Sequence, residues 1–384
     1  MSNFRVSGHP CYGLIADENP ATNPVPMSKI DIYAFFSGLG FLDLAFDEEP
    51  GCKVALASEF QSEFAKSYSY ARQQMGIKSV TPIVGSSEDF LEGEKASLLQ
   101  AKIKESKKAG NKVVFIAGPP CPDFSIAGKN RGGSGENGRL TRVYIDLVLK
   151  FKPDAFVFEN VKGLYRTKVH REFFEKMKKR IHNDYGATDE KLMNSLWFGA
   201  PQDRDRIILI GVKGRKSLKI DWESQFKFPQ KTIENIPWPL AEEFKEDGDK
   251  NCPKGVPKEL TVQYWFDTNK VDKHVNAGDF FKPRQGLKRF KVVDEGDDSR
   301  KSYKRLHRWR YSPTVAYGNN EVHLHPYKAR RLTVSEALSL QGLPKNFSLP
   351  PDVSLTDKFK MIGNGVPYQM GKGIVAYVKN ALNS

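Results

Sequence analysis

The chain has 384 residues, of which 39% are hydrophobic, 28% charged and 11% aromatic, a balance that excludes a disordered or collagen-like protein and suffices for one large or two modest domains without disulfide or metal staples. Sixty Lys and Arg against forty-six Asp and Glu leave a formal charge of +14, which makes nucleic acid the leading partner class, with a merely basic enzyme as the plain alternative. The longest apolar runs, Val113–Ala117 and Ile207–Val212, fall far short of the roughly 20 residues of a membrane span.

Residues 1–28 hold Pro10, Pro20, Pro24 and Pro26 and no stretch that fits a signal peptide, so a flexible arm on a cytoplasmic protein is expected. Lys29–Phe36 is a β-branched and aromatic run that predicts a strand; Ser37-Gly38-Leu39-Gly40 reads as a turn, and Phe41–Phe46 has helical spacing. A second strand is predicted at Lys53–Ser58, a helix at Glu63–Gln74 and a short strand near Val80–Val84. Lys112–Ala117, Ala155–Phe158 and Arg206–Val212 read as further strands, with helices at Leu140–Lys150 and Arg171–Asn183 between them. This alternation predicts an α/β fold in which a parallel sheet carries helices on both faces. From 213 to 300 the composition turns to Lys, Asp, Glu, Pro and Gly without sustained periodicity, as in an irregular second domain or a set of long loops. The α/β pattern resumes at Arg331–Gln341, where Thr333 and Glu336 have capping-box spacing, and a last helix is predicted from Pro367 to Leu382.

Ligands of an open α/β sheet bind beyond the carboxyl ends of its strands, and four of these ends carry unusual residues. Phe36-Ser37-Gly38-Leu39-Gly40 permits a tight turn and close backbone approach to a ligand, while Asp43 stands where a dinucleotide fingerprint has its third glycine, which counts against NAD. Glu59 suits the ribose hydroxyls of an adenosine cofactor, or is an exposed loop carboxylate. Pro119 and Pro120 fix the chain before Cys121, and the loop Ser125–Leu140 beyond it is glycine-rich and carries Lys129, Arg131 and Arg139. A structural cysteine usually lies inside an apolar element, so this rigid corner points to a nucleophile. Cys11, Cys52 and Cys252 lack such a setting, and the wide separation of all four cysteines fits neither a zinc site nor a disulfide framework. Glu159 follows Phe156 and Phe158, so it is either a carboxyl kept protonated by desolvation or a half-buried acid paired with a base. Alternation puts Gln202, Arg204 and Arg206 on one face, aimed at a substrate carbonyl or forming a surface ion-pair ladder. Lys301–Arg310 is basic and aromatic, which suits phosphate contact or guanine readout, or is a solvated cationic face.

Taken in order, Phe36-Ser37-Gly38-Leu39-Gly40, Pro119-Pro120-Cys121, Glu159-Asn160-Val161, Gln202-x-Arg204-x-Arg206, Arg331-Leu332-Thr333-x-x-Glu336 and Gly363-Asn364-Gly365-Val366-Pro367 resemble the DNA (cytosine-5) methyltransferase family of the prokaryotic restriction-modification type. The resemblance implies a Rossmann-like S-adenosylmethionine-dependent methyltransferase fold: a catalytic domain at 29–212, a target-recognition domain at 213–330, and a segment at 331–384 that returns to the catalytic domain. It implies that Cys121 adds to cytosine C6, that protonated Glu159 acts at N3, and that Arg206 holds O2 with Arg204 in support. Asn160 would brace the proline–cysteine loop and Gln202 would lend structural support. S-adenosylmethionine is implied as donor, held by Phe36, Ser37, Gly38, Leu39, Gly40, Glu59, Phe60, Pro120, Asn364 and Gly365. Duplex DNA is the implied partner, with a flipped cytosine, lid contacts from Ser125, Lys129, Arg131 and Arg139, and further contacts from Arg305, Arg308 and Arg310. The enzyme is expected to be a monomer associated with the nucleoid, with a cognate restriction endonuclease acting independently. Ala34 stands where the family often has Asp, and Phe41 replaces the second glycine of a Gly-Gly pair. The acid that commonly contacts adenine has no obvious counterpart, which leaves Glu88 or Asp89 as substitutes. A tRNA cytosine-5 methyltransferase of the same fold and a catalytically silent DNA-binding protein stay open as alternatives.

Overall fold

The computed structural model describes residues 29–120, 136–165, 168–283, 286–300, 302–315, 317 and 323–383. The first strand, β1 (Ile30–Phe35), is buried along its whole length. Its side chains alternate between two cores: Ile32 and Ala34 face one, Tyr33 and Phe35 the other. Chain order continues through α1 (Phe41–Asp47), β2 (Cys52–Glu59), α2 (Ser62–Gln74), β3 (Ile83–Val84), α3 (Gly93–Lys108), β4 (Lys112–Ala117), α4 (Glu136–Phe151), β5 (Ala155–Val161), α5 (Lys168–Asp184), β6 (Thr188–Asn194) and β7 (Asp205–Val212). The seven strands lie in the order β3-β2-β1-β4-β5-β7-β6. Residues of α1 and α2 contribute to one core, and residues of α3, α4 and α5 to the other.

The predicted all-parallel sheet requires correction at β7, which runs antiparallel to both β5 and β6. Only residues 195–204 link β6 to β7, and a link this short suits an antiparallel return, since a parallel crossover needs roughly a dozen residues or more. The sequence gives little sign of β6: Thr-Asp-Glu-Lys-Leu-Met-Asn is an edge strand, mostly half-buried, without an apolar run. Helix α3 is equally polar and buries only Leu99, Ile103 and Ser106.

Beyond β7 the chain is largely irregular, with short elements α6 (Gln230–Glu234), α7 (Val262–Asn269), α8 (Leu287–Phe290), β8 (Lys304–Arg305) and β9 (His323–Leu324). Several of its residues nevertheless belong to the sheet-face core, among them Trp222, Val262, Phe266, Leu306 and Val315. The chain then forms α9 (Val334–Leu340), α10 (Leu355–Asn364) and α11 (Tyr368–Asn383). Thr333 caps α9 through the complete capping box with Glu336. Among the described residues no helix is long and apolar enough to cross a membrane.

The turn from β1 to α1 needs left-handed backbone at Phe36 (φ 55°), Gly38 (φ 55°) and Gly40 (φ 69°). A Cβ at Gly38 would meet open space, whereas at Gly40 it would overlap the Tyr68 ring and crowd the Arg72 guanidinium. Gly38→Ala is therefore expected to cost about 1–2 kcal/mol from backbone strain alone. Gly40→Ala should cost a further ~1–3 kcal/mol from overpacking. Urea unfolding of the two variants checks this order.

Candidate active site

The carboxyl ends of β1, β2, β4 and β5 share one edge of the sheet because these strands are parallel. Since β7 is antiparallel, its amino-terminal end reaches the same edge: Val161 in β5 pairs with Arg206, and Glu159 pairs with Ile208. Glu159 and Arg206 side chains meet there, Oε1 to Nε at 2.6 Å, each about 10% exposed. Burial raises the Glu159 carboxyl above its ordinary range, against the opposing pull of Arg206 and Arg204. Room for this carboxyl comes from Gly118 at the end of β4, where a Cβ would sit 2.7 Å from Glu159 Oε2. Gly118 leads directly into Pro119, whose carbonyl accepts a 3.4 Å hydrogen bond from Asn160 Nδ2. Cys121, Ser125, Lys129 and Arg131 lie outside the described residues.

Gln202, Arg204 and Arg206 are all buried, while Asp203 is exposed and Asp205 half-buried, as alternation predicts. Arg204, however, binds backbone: its Nη1 donates to the Val315 carbonyl and its Nη2 to the Gly363 carbonyl, both at 2.7 Å. Both of its terminal nitrogens are thus engaged by backbone of two distant segments, while Arg206 meets Glu159. Gln202 accepts from the Val315 N–H at 3.0 Å and donates to the Leu340 carbonyl at 3.1 Å and to Gln341 Oε1 at 3.2 Å. The sequence reading missed Gln341, whose Nε2 donates to the Ile362 carbonyl at 2.6 Å. Its position just after the Arg331–Glu336 motif was the only signal available.

The residues expected to hold the cofactor come together at the same edge. Glu59 is buried at the end of β2 and accepts from the Gly38 N–H at 2.8 Å and the Gln61 N–H at 3.0 Å. Burial raises its carboxyl above the ordinary range, although those two N–H groups oppose the shift. The two oxygens retain lone pairs for further donors. Phe60 beside it is 71% exposed, an unusual state for a phenylalanine and one that leaves a ring face free. From the other end of the chain, Gly365 packs against the Phe41 ring so closely that a Cβ there would overlap it. Phe41 also makes an edge contact with Phe347 at 5.4 Å. The missing glycine at position 41 is thus matched by an aromatic ring that fills the space under Gly365, with exposed Asn364 alongside. Beneath the turn, Arg72 donates to the Gly40 carbonyl at 2.7 Å and pairs with buried Asp47 at 3.1 Å, a support that an ordinary helix sequence gave no reason to expect. Glu88 and Asp89 pair with Arg139 and Lys95 respectively.

Two expected DNA contacts require correction. Arg305 is fully buried and donates to the carbonyls of Val293 at 2.7 Å, Lys328 at 3.1 Å, His325 and Phe290. Arg308 is buried on Glu295, with Nε at 2.8 Å and Nη2 at 2.9 Å from the two carboxylate oxygens. A buried guanidinium must be paired, and these two pin irregular chain together instead of facing solvent. Arg310 is 25% exposed and 3.6 Å from Asp298. The two described cysteines, Cys52 and Cys252, are free, and burial pushes the Cys52 thiol up to about 11 and raises that of Cys252.

The family model for the C-5 cytosine-specific DNA methylase matches residues 30–380. The chain is 50% identical over 362 residues to the Type II methyltransferase M.NmeDI of Neisseria meningitidis serogroup C, covering 93% of this chain and 85% of that protein. It is 26% identical over 372 residues to the Type II methyltransferase M.FnuDI of Fusobacterium nucleatum, covering 91% and 94% of the two chains. Among solved structures, the Entamoeba histolytica methyltransferase EhMeth has the same fold, with a TM-score of 0.58 at 14% identity, covering 93% of this chain and 100% of that one. With a buried carboxyl–guanidinium pair at the edge of an α/β sheet and a family match running from β1 into α11, this chain belongs to the C-5 cytosine-specific DNA methylases and is a DNA (cytosine-5) methyltransferase.

Proposed function

We propose that the enzyme methylates C5 of a cytosine flipped out of a specific duplex sequence, through a transient bond between Cys121 Sγ and C6. The observation that carries this reading is the buried Glu159–Arg206 pair, held beside the Pro119–Pro120 corner that leads to Cys121. Cytosine C5 is a poor nucleophile, and addition of a thiolate at C6 makes it an enamine carbon. Glu159, whose carboxyl burial makes easier to protonate, delivers a proton to N3 as sulfur adds, which draws off the charge developing on the ring. Arg206 holds the O2 oxygen. Once C5 carries the methyl group, a base takes the C5 proton, the C6–S bond breaks to release the thiolate, and N3 returns its proton to Glu159. S-adenosylmethionine supplies the methyl group when bound, and the residues at the sheet edge suit it: Glu59 for the ribose hydroxyls, exposed Phe60 for a ring, the Gly38–Gly40 turn and Asn364–Gly365 for the amino-acid part.

The reacting cytosine is inaccessible while stacked, so flipping it costs roughly a few kcal/mol, which contacts from the 125–140 loop would offset. Residues 213–330 serve as the recognition domain, with Arg310 as the remaining candidate of its basic run. The similarity to Type II methyltransferases supports a modification role alongside an independently acting endonuclease.

Labelled S-adenosylmethionine with duplex DNA or tRNA tests the substrate class, and bisulfite sequencing of the product identifies the methylated site; transfer to tRNA alone would overturn the reading. Cys121→Ser should abolish transfer while duplex binding persists, as measured by gel shift, because the nucleophile makes no ground-state contact that holds the duplex. Glu159→Gln should slow transfer by about 10²–10⁴-fold, the usual worth of a positioned acid. Because burial raises the Glu159 carboxyl, the protonated form persists to higher pH than for an ordinary glutamate. The wild-type rate should therefore fall as pH rises through that raised value, and Glu159→Gln should lose this limb of the pH–rate profile.

A further inference from the structure

One guanidinium joins two parts of the molecule that serve different ligands. Arg204 is 2% exposed and grips carbonyls 111 and 159 residues away in sequence, those of Val315 and Gly363. Val315 is held on both backbone groups, since its N–H donates to Gln202 Oε1 at 3.0 Å. It lies in the last part of the inserted segment, 213–330, proposed to recognise DNA. Gly363 belongs to the last turn of α10 and immediately precedes Asn364 and Gly365, the residues proposed to complete the cofactor pocket. The last carbonyls of a helix lack intrahelical partners, and here side chains engage them: Arg204 for Gly363, and Gln341, alongside the Gly365 N–H, for Ile362. Gln341 in turn accepts from Gln202, so the two glutamines and the arginine form one connected knot. A second tie runs parallel to it, because the Tyr317 ring packs edge-on to Phe359 of α10 at 5.0 Å.

We propose that Arg204, with Gln202 and Gln341, is a positioning device that couples DNA binding by the inserted domain to cofactor binding at the end of α10, so that each ligand tightens the other. A displacement of Val315 on DNA docking is passed through a rigid planar fork to the Gly363 carbonyl, and the reverse holds when the cofactor orders Asn364–Gly365. Only arginine offers two terminal nitrogens in fixed geometry for this bridge; a lysine ammonium is a single point on a flexible stem.

This inference rests on the function proposed above, and the experiment separates the two. The dissociation constant of S-adenosylhomocysteine is measured by calorimetry on the full chain, with and without a saturating duplex that contains the methylated site found by bisulfite sequencing. In the wild type the duplex should tighten binding by about fivefold or more, and S-adenosylhomocysteine should tighten duplex binding by the same factor, because such coupling is reciprocal. In Arg204→Lys that ratio should fall towards one, whereas a merely structural weakening would lower both affinities and leave the ratio unchanged. Gln341→Met, which keeps volume and removes both hydrogen bonds, is a second variant that should also lower the ratio if Arg204→Lys does not fold. A wild-type enzyme that methylates DNA but shows a ratio of one, or variants that keep the wild-type ratio, would overturn the coupling. A wild type that methylates no DNA would instead overturn the function.

Discussion

The arrangement depends on one ion pair, Glu159 with Arg206, formed because a single strand runs against its neighbours. In a wholly parallel sheet, the start of β7 would lie at the opposite edge from the end of β5, and no side chain could span the difference. Reversal of β7 brings a guanidinium to the edge where the carboxyl ends of the parallel strands already meet. Burying such a pair is not a stability device, since desolvation offsets much or all of the attraction. Its value is chemical: burial makes the carboxyl easier to protonate than an ordinary glutamate, and the guanidinium fixes its orientation.

The cofactor edge shows how the two ends of the chain depend on each other. The Gly38–Gly40 turn follows the first strand, while Asn364 and Gly365 arrive more than three hundred residues later. They meet because Phe41 fills the space that Gly365 leaves open. Glu59, Arg72 and Asp47 stiffen the turn from below and beside it. The inserted segment is secured differently, by buried arginines on carbonyls and on Glu295, which compensate for its scarcity of regular structure.

What the sequence revealed, and what it hid, follows from how each feature is encoded. Strands such as Lys112–Ala117 were legible because they are buried on both faces and therefore uniformly apolar. Edge strand β6 and helix α3 were not, because half-exposed elements carry polar residues that blur their period. Glycines at strand ends and the Thr333–Glu336 cap act locally, so spacing alone exposed them. The fate of Arg305 and Arg308 was hidden, since a basic run looks the same whether its guanidiniums face a phosphate or a buried carbonyl. The knot of Gln202, Arg204 and Gln341 joins residues more than a hundred positions apart, and no local pattern announces it.

The most direct test of the central chemistry is mass spectrometry of the enzyme after incubation with S-adenosylmethionine and a duplex carrying 5-fluorocytosine at the methylated position. Fluorine cannot leave as a proton does, so elimination stops and the adduct accumulates. The account predicts a peptide spanning residue 121 that bears a methylated fluoropyrimidine nucleotide through sulfur. An unmodified Cys121, under conditions where the ordinary duplex is fully methylated, would contradict it.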